Sequence, residues 1–431
     1  MDIRQKAVDF MLKYGQHPDY IDLPKQTAYI VEQMKLGLAG QPSDLMMIPT
    51  YLSTEGKVKN GESVIVIDAG GTNFRICVAT LTEEGVKVDH FFKRKMFGVG
   101  TPIDKDQFIE ELAKLIFPLL PYANRVGFCF SYAAEITPDK DGKVISLSKE
   151  VYINGIEGTL LCHEIEDKLR EMGQKEDIKF ILLNDTVATL LGGPAIKEDE
   201  KFDTQIGFIL GTGTNIAYDE MGCNITKIKC NPKKKMIINT ESAGLVPMKI
   251  GELDKQLDRE SANPGLHLYE KAISGGYLGT LLKQTLIKAA ADGLFSEGNK
   301  MAELPDFDLA TVDSFQRRPF GDNHLTKACG NEDDIELVYH FIDLILDRSS
   351  KLVTASLAAI LIETDGGKKL SQPARVMVEG TSFFKTYSYR ERIESYMREY
   401  VHKQLGRYYM FTSGEDVNQI GSAIAAILNA K

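Results

Sequence analysis

Val64-Ile65-Val66-Ile67-Asp68-Ala69-Gly70-Gly71-Thr72-Asn73-Phe74-Arg75 is the stretch on which the reading of this chain turns. Its first four residues are β-branched and apolar, the composition of a buried strand. A second apolar run, Ile76 to Leu81, follows. The segment therefore reads as strand, glycine turn and return strand. Gly70 and Gly71 carry no Cβ, so backbone N–H groups at the tip can come close to a bulky anion. Thr72 adds a hydroxyl and Arg75 a fixed positive charge. Asp68 supplies a carboxylate able to hold magnesium through water. An anion cradle, a cation site and a turn of this kind point to nucleotide chemistry. From this turn alone, an ordinary hairpin with a polar tip reads equally well.

A second turn shifts that balance. Gln205 to Leu210 is another apolar strand, running into Gly211-Thr212-Gly213-Thr214-Asn215 and returning through Ile216-Ala217-Tyr218. Gly-Thr-Asn occurs in both turns, at Gly71 to Asn73 and at Gly213 to Asn215. Two phosphate-type hairpins point to two lobes of related design facing one nucleotide. Neither is a Walker A loop, since Gly-x-x-x-x-Gly-Lys-[Ser/Thr] does not occur. Neither is a dinucleotide fingerprint, because Gly70 and Gly71 open a return strand and not a helix.

The whole chain bounds the function classes. Its 431 residues suffice for two domains of ordinary size. With 43% hydrophobic and 26% charged residues it reads as a soluble globular protein. A net charge of −10 disfavours nucleic acid and anionic membrane as partners. Lys233-Lys234-Lys235 reads as a solvated loop. No run is long enough to span a membrane, and Met1-Asp2-Ile3-Arg4 does not begin a signal peptide. The six cysteines lack Cys-x-x-Cys spacing and read as idle thiols in a reducing cytoplasm. No His-Glu-x-x-His occurs, which disfavours catalytic zinc.

The periodicity predicts helix over residues 4–40, strands near 64–68, 73–81 and 86–93, and a helix near 105–120. Further strands are expected at Arg125–Phe130 and Ile178–Leu183, with a charged amphipathic helix over 159–172 between them. The second lobe opens near Lys201. Helical stretches are expected at 267–291 and 336–362, a strand at Arg375–Val378, and a small-residue helix at Gln419–Leu428. Strands first, then strands alternating with helices, predict α/β lobes with mixed sheets.

These motifs, taken in order, resemble the eukaryotic-type hexokinase family of the sugar kinase, Hsp70 and actin superfamily. The similarity runs from about Met34 to Leu428. Asp68 to Arg75 resembles the first phosphate motif, Phe128-Cys129-Phe130-Ser131 the start of the sugar loop, and Leu183-Asn184-Asp185-Thr186 the catalytic motif. Gly211 to Tyr218 resembles the second phosphate motif. Ile238-Asn239-Thr240-Glu241, Asn263-Pro264-Gly265 through Glu270-Lys271, and Ile273 to Gly279 are similar to further family segments.

The resemblance implies two actin-like (ribonuclease H-like) α/β lobes around a central cleft. One lobe would hold 62–187 and the C-terminal helix 418–431, and the other 188–417 and the N-terminal region 1–61. It implies an ATP- and magnesium-dependent kinase for the 6-hydroxyl of glucose, with mannose or fructose as further hexoses, at the first step of glycolysis. By the same resemblance the sugar would be bound by Ser131, Ser148, Lys149, Asn184, Asp185, Asn215, Glu241 and Glu270. Asp185 would be the base, with Lys149 and Arg75 beside the transferred phosphoryl. The nucleotide would lie on Asp68, Gly70, Gly71, Thr72, Asn73, Arg75, Gly211, Thr212, Gly213, Thr214, Gly380, Thr381 and Gly421, with Asp68 orienting Mg2+ through water. Asp185 follows a strand and opens a helix, so it also reads as a helix N-cap; the two roles are compatible. A catalytically weak sugar sensor on the same fold is the alternative, and loss of the base or of a phosphate turn would favour it.

The departures from the family pattern lie around the sugar and the adenosine. The family usually has Pro-Cys after Phe-Ser-Phe, whereas here Phe130-Ser131 is followed by Tyr132-Ala133-Ala134; Leu147-Ser148-Lys149-Glu150 stand where Trp-Thr-Lys-Gly is usual, and His267 where a Gln is common. Val417-Asn418-Gln419-Ile420-Gly421 keeps only the last glycine of Gly-Ser-Gly-Lys-Gly.

Overall fold

The computed structural model describes residues 2–56, 60–82, 85–147, 151–193 and 200–429. Two sheets organise it. The first runs in the order Lys179–Leu183, Arg125–Phe130, Ser63–Ala69, Asn73–Thr82, Gly85–Lys95. Its first three strands are parallel, and the last two are added antiparallel. The alternation expected of a strand buried on both faces is seen in Ser63–Ala69. Ile65, Ile67 and Ala69 enter one core, with Phe108, Leu112 and Ile165 from flanking helices. Val64 and Val66 enter another on the opposite face.

The second sheet runs Ile48–Pro49, Lys235–Asn239, Thr214–Met221, Gln205–Leu210, Ala374–Glu379, Tyr409–Thr412. Here too a hairpin, Gln205–Leu210 with Thr214–Met221, adjoins a parallel strand, Ala374–Glu379. Each sheet is thus mixed, as the strand order in the sequence predicts. A large core fills the space behind the second sheet, built on the buried face of the 32-residue helix Glu332–Glu363. Asn331 caps that helix, and Glu332, Asp333 and Asp334 crowd its first turn, where carboxylates complement the helix dipole.

Between the sheets lie two helices, Asp185–Leu191 and Val417–Asn429. Val187, Ala188, Leu190, Ala423 and Ala426 join Val66 and Leu183 of the first sheet and Ala217 and Ile237 of the second in one core. The small residues are what permit this crossing. A Cβ on Gly421 would lie 1.9 Å from the Ala188 carbonyl oxygen, and one on Gly207 would lie 2.5 Å from that of Thr186. Gly421, read from the sequence as a nucleotide contact, is buried in this helix–helix crossing, so close packing is the reason for its missing side chain.

Other expectations are corrected in detail. The helical run 4–40 divides into Ile3–Lys13, Pro18–Tyr20 and Leu23–Leu38, broken where Gly15 takes a φ of +70°. The run 267–291 is two helices, Leu268–Ile273 and Gly275–Ala291, separated by the extended Ser274. Lys235 is no solvated loop residue: it opens a strand, and its Nζ stands 3.0 Å from the buried carboxylate of Asp219. Among the described residues, no helix is long and apolar enough to cross a membrane.

Candidate active site

Parallel strands collect their carboxyl ends at one sheet edge, and ligands of α/β sheets bind beyond that edge. In the first sheet the residues just past the three parallel strands are Gly70, Ser131 and Asn184. The ladder places Asp68, Cys129 and Leu183 in one row across the strands. Asp68 is buried, and its Oδ2 is 2.7 Å from Arg75 Nη1, its partner across the hairpin. Thr72 is exposed at the tip, with its Oγ1 2.9 Å from Asn73 Nδ2. Among the described residues, the N–H groups of Gly71 and Thr72 have no acceptor.

The second turn is braced from several sides. Gly211 accepts at its carbonyl from Gly275 N and Ser382 Oγ, each at 2.8 Å, and Thr212 accepts from Gly276 N at 3.0 Å. Thr214 N donates to Glu270 Oε2 at 3.0 Å, and Thr214 Oγ1 donates to the Ile209 carbonyl at 2.9 Å. Both donors of Thr214 are therefore spent on the framework, while Thr212 is exposed. Gly380 adjoins this turn with φ +120°, and a Cβ there would lie 2.3 Å from the Leu210 carbonyl oxygen. Thr381 follows it, exposed.

A chain of amides connects the two edges. Asn215 Nδ2 lies 3.4 Å from Asn184 Oδ1 and 2.8 Å from Asn239 Oδ1, and Asn239 Nδ2 donates to Glu241 Oε1 at 2.7 Å. Asn215 Oδ1 also accepts from Ser242 N at 3.2 Å. Glu241 has φ +53°, a left-handed conformation that costs a side-chain-bearing residue about 1–3 kcal/mol and is concentrated at functional sites. Asn239 was not singled out from the sequence. Its signal is its place at the end of a strand, two residues before Glu241.

Asp185 is the first residue of its helix, half-buried. It is not the N-cap: Asn184 is, accepting from Thr186 N at 2.9 Å. The capping role read for Asp185 passes to its neighbour, and the Asp185 carboxylate lies at the positive end of the helix dipole. Behind it, Thr189 Oγ1 donates to Glu379 Oε2 at 3.0 Å. Asn418, in the orientation that satisfies its amide, donates to Glu379 Oε2 at 3.1 Å and to the Asp185 carbonyl at 3.2 Å. Glu379 was not marked as a site residue in the sequence. Burial raises its pKa above the ordinary glutamate value; the Thr189 hydrogen bond opposes this, and the negative charges of Asp185 and Asp68 add to it. Two facing sheet edges thus bring together a carboxylate–guanidinium pair, bare backbone donors, a helix-terminal carboxylate and a string of amides and acids. That set can hold a polyanion and a polyhydroxyl compound side by side.

Comparison with known proteins agrees. A family model described as hexokinase matches residues 205–428, and another described as hexokinase matches residues 17–194. The chain belongs to the hexokinase family. It is 24% identical over 435 residues to Hexokinase-1 of Schizosaccharomyces pombe, covering 95% of this chain and 88% of that protein. It is 28% identical over 433 residues to the chloroplastic Hexokinase-2 of Nicotiana tabacum, covering 92% and 85%. Human Hexokinase-1 is 26% identical, with 89% of this chain matching 44% of that longer protein. The fold matches a hexokinase from Schistosoma mansoni solved with glucose, with a TM-score of 0.73 over 99% of this chain and 100% of that one, at 20% identity. Family and fold make this chain a sugar kinase with two actin-like lobes.

Of the residues drawn from the hexokinase resemblance, the structure gathers Asp68, Gly70, Gly71, Thr72, Asn73, Arg75, Ser131, Asn184 and Asp185 at the edge of the first sheet. Gly211, Thr212, Gly213, Thr214, Asn215, Glu241, Glu270, Gly380 and Thr381 stand at the facing edge. Ser148 and Lys149 lie outside the described residues. Among the described residues, no group of three or more His, Cys, Asp or Glu is arranged to hold a metal ion.

Proposed function

We propose that this protein transfers the γ-phosphoryl group of ATP to the 6-hydroxyl of glucose, with mannose and fructose as further acceptors, at the first step of glycolysis in the cytoplasm. The observation that carries this reading is Asp185 at the start of its helix, next in the chain to Asn184 of the Asn184–Asn215–Asn239–Glu241 string and on the same sheet edge as the first phosphate-type turn. A hydroxyl hydrogen-bonded by the string can present its proton to the Asp185 carboxylate. Arg75 and the N–H groups of Gly71 and Thr72 fit the charge that develops on a transferring phosphoryl group. Asp68, a buried oxygen ligand, fits a hard cation held through water. Magnesium, when bound, supplies neutralisation of the phosphate charge.

Sugar contacts assigned to both lobes favour a closed state, which excludes the water that otherwise competes as acceptor. The glucose bound in the Schistosoma mansoni relative supports a hexose as substrate. The six cysteines, all free of disulfides, support a reducing compartment. The test is a coupled assay over glucose, mannose, fructose and N-acetylated hexosamines. Turnover on hexoses with a free 6-hydroxyl is expected. Turnover on a pentose or polyol alone would end the hexose assignment, and no turnover on any acceptor would favour the sensor.

A further inference from the structure

Tyr132 follows Ser131 on the loop that leaves the Arg125–Phe130 strand. Its ring is buried against Phe130, with centroids 4.9 Å apart. Its hydroxyl does not end in apolar packing: it donates to the carbonyl of Gly70, in the first phosphate-type turn, at 2.9 Å. A peptide unit is planar and trans, so the C=O of Gly70 and the N–H of Gly71 point in opposite directions. Holding the carbonyl toward the tyrosine therefore turns the Gly71 N–H away from it. That N–H, like the N–H of Thr72, has no acceptor among the described residues. A second link runs through the backbone, where Ser131 N donates to the Ala69 carbonyl at 3.2 Å. The phenylalanine that the family pattern usually has at this place carries no hydroxyl and could not make the contact.

We infer that Tyr132 is a positioning residue for the nucleotide: its hydroxyl aims the Gly71 amide at a phosphate, and through Ser131 it couples the sugar loop to that amide. This rests on reading the first turn as a phosphate cradle. The hydroxyl remains a donor across the working range. Burial, and then the negative charges of Asp185 and Asp68, raise its pKa above that of an ordinary tyrosine. An ordered sugar loop would thus hold the cradle in its phosphate-binding form. Occupancy of one site then improves the other, and the benefit is reciprocal.

The variant that tests this is Tyr132→Phe, which keeps the ring and its packing and removes only the donor. Two measurements are needed: the KM of each substrate with kcat, and binding of Mg·ADP by calorimetry with and without saturating glucose. One lost hydrogen bond predicts a roughly five- to tenfold rise in nucleotide KM and ADP Kd. The glucose Kd measured without nucleotide should be unchanged, and the gain in ADP affinity brought by glucose should shrink. Unaltered nucleotide affinity overturns the inference, whether or not the melting midpoint falls. A rise in sugar KM alone overturns it too, since the hydroxyl would then serve the sugar. Because ADP binding is read directly, the underlying reading is tested separately. If the wild-type protein binds no nucleotide, the kinase assignment fails; if wild type and Tyr132→Phe bind equally, only this inference fails.

Discussion

Gly-Thr-Asn occurs in both hairpins, yet its two copies do different work. In the first hairpin Ala69 pairs with Phe74, so Gly71, Thr72 and Asn73 fall beyond that pair, with Thr72 exposed and Asn73 paired only with Lys95 of the outer strand. In the second, Leu210 pairs with Thr214, so the threonine and asparagine already belong to the strand ladder. Thr214 and Asn215 are accordingly buried, and their donors are used on Ile209, Glu270 and Asn239. A shift of the tripeptide relative to the last strand pair turns exposed groups into framework. The comparison teaches that a repeated motif marks equivalent regions, while register and loop length decide what each residue in it does.

The sharpest test of the comparison asks whether both turns serve one reacting hydroxyl. Asp185→Ala should lower kcat by roughly 10²–10⁴-fold, the usual worth of a general base, and weaken sugar binding less. Asn184→Ala should instead show a capping loss of about 1 kcal/mol in stability, because Asn184 accepts from Thr186 N. Near-normal turnover in folded Asp185→Ala would leave the turns facing no base.

Next in size is the effect of sugar on closure. Ligand contacts on both sheet edges should let glucose alone, without ATP, reduce the radius of gyration and raise the thermal midpoint. At a hundredfold excess over Kd the stabilisation is about 2.7 kcal/mol. Small-angle scattering that shows an unchanged radius, despite binding proven by calorimetry, would break the picture of two edges closing on one ligand.

The two threonines separate the turns most directly. Thr214→Val removes a buried hydroxyl that donates to Ile209, so it should cost about 1 kcal/mol of stability. Thr72→Val alters an exposed tip and should raise the nucleotide KM while leaving the melting midpoint in place. Equal effects from the two substitutions would show that the turns are interchangeable after all.

The smallest expected effect lies behind the second edge. The pKa of Glu379 is raised by burial in the folded state. A raised carboxyl contributes stability that is fully present below the unfolded pKa and is lost as pH rises through the folded value. Glu379→Gln should therefore match the wild type in thermal melts below the ordinary glutamate range and be slightly more stable above it. A variant less stable at high pH would mean that the ionised carboxylate is held by the Thr189 and Asn418 contacts more strongly than burial opposes it.

Much of the fold was legible because strand and helix periodicities are local. Arg125–Phe130 and Gln205–Leu210 have the bounds their apolar runs predict. The errors cluster where a local signal met a tertiary constraint. Lys235 reads as one of three solvated lysines until a strand brings it to buried Asp219. Ser274 interrupts a continuous helical pattern because the following Gly275 donates to Gly211 across the second turn. Asn418 and Glu379 are 39 positions apart in the sequence, and no spacing rule connects them with the Asp185 carbonyl they help fix.

The sequence by itself determined the kinds of group available: two glycine turns, a carboxylate after a strand, and a scatter of amides and acids of the type a hydroxyl-rich ligand requires. Those are properties of residue chemistry and of period-2 and period-3.6 patterning, which a short window contains. Tertiary structure decided their assignments. It made Asn184 the cap and left Asp185 beyond it, spent Thr214 on the framework, buried Gly421 in a helix crossing, and brought Tyr132 to the carbonyl of Gly70. Each depends on the register of a strand pair or the separation of two packed helices. Those quantities are fixed by contacts between residues far apart in the chain, so no local pattern carries them.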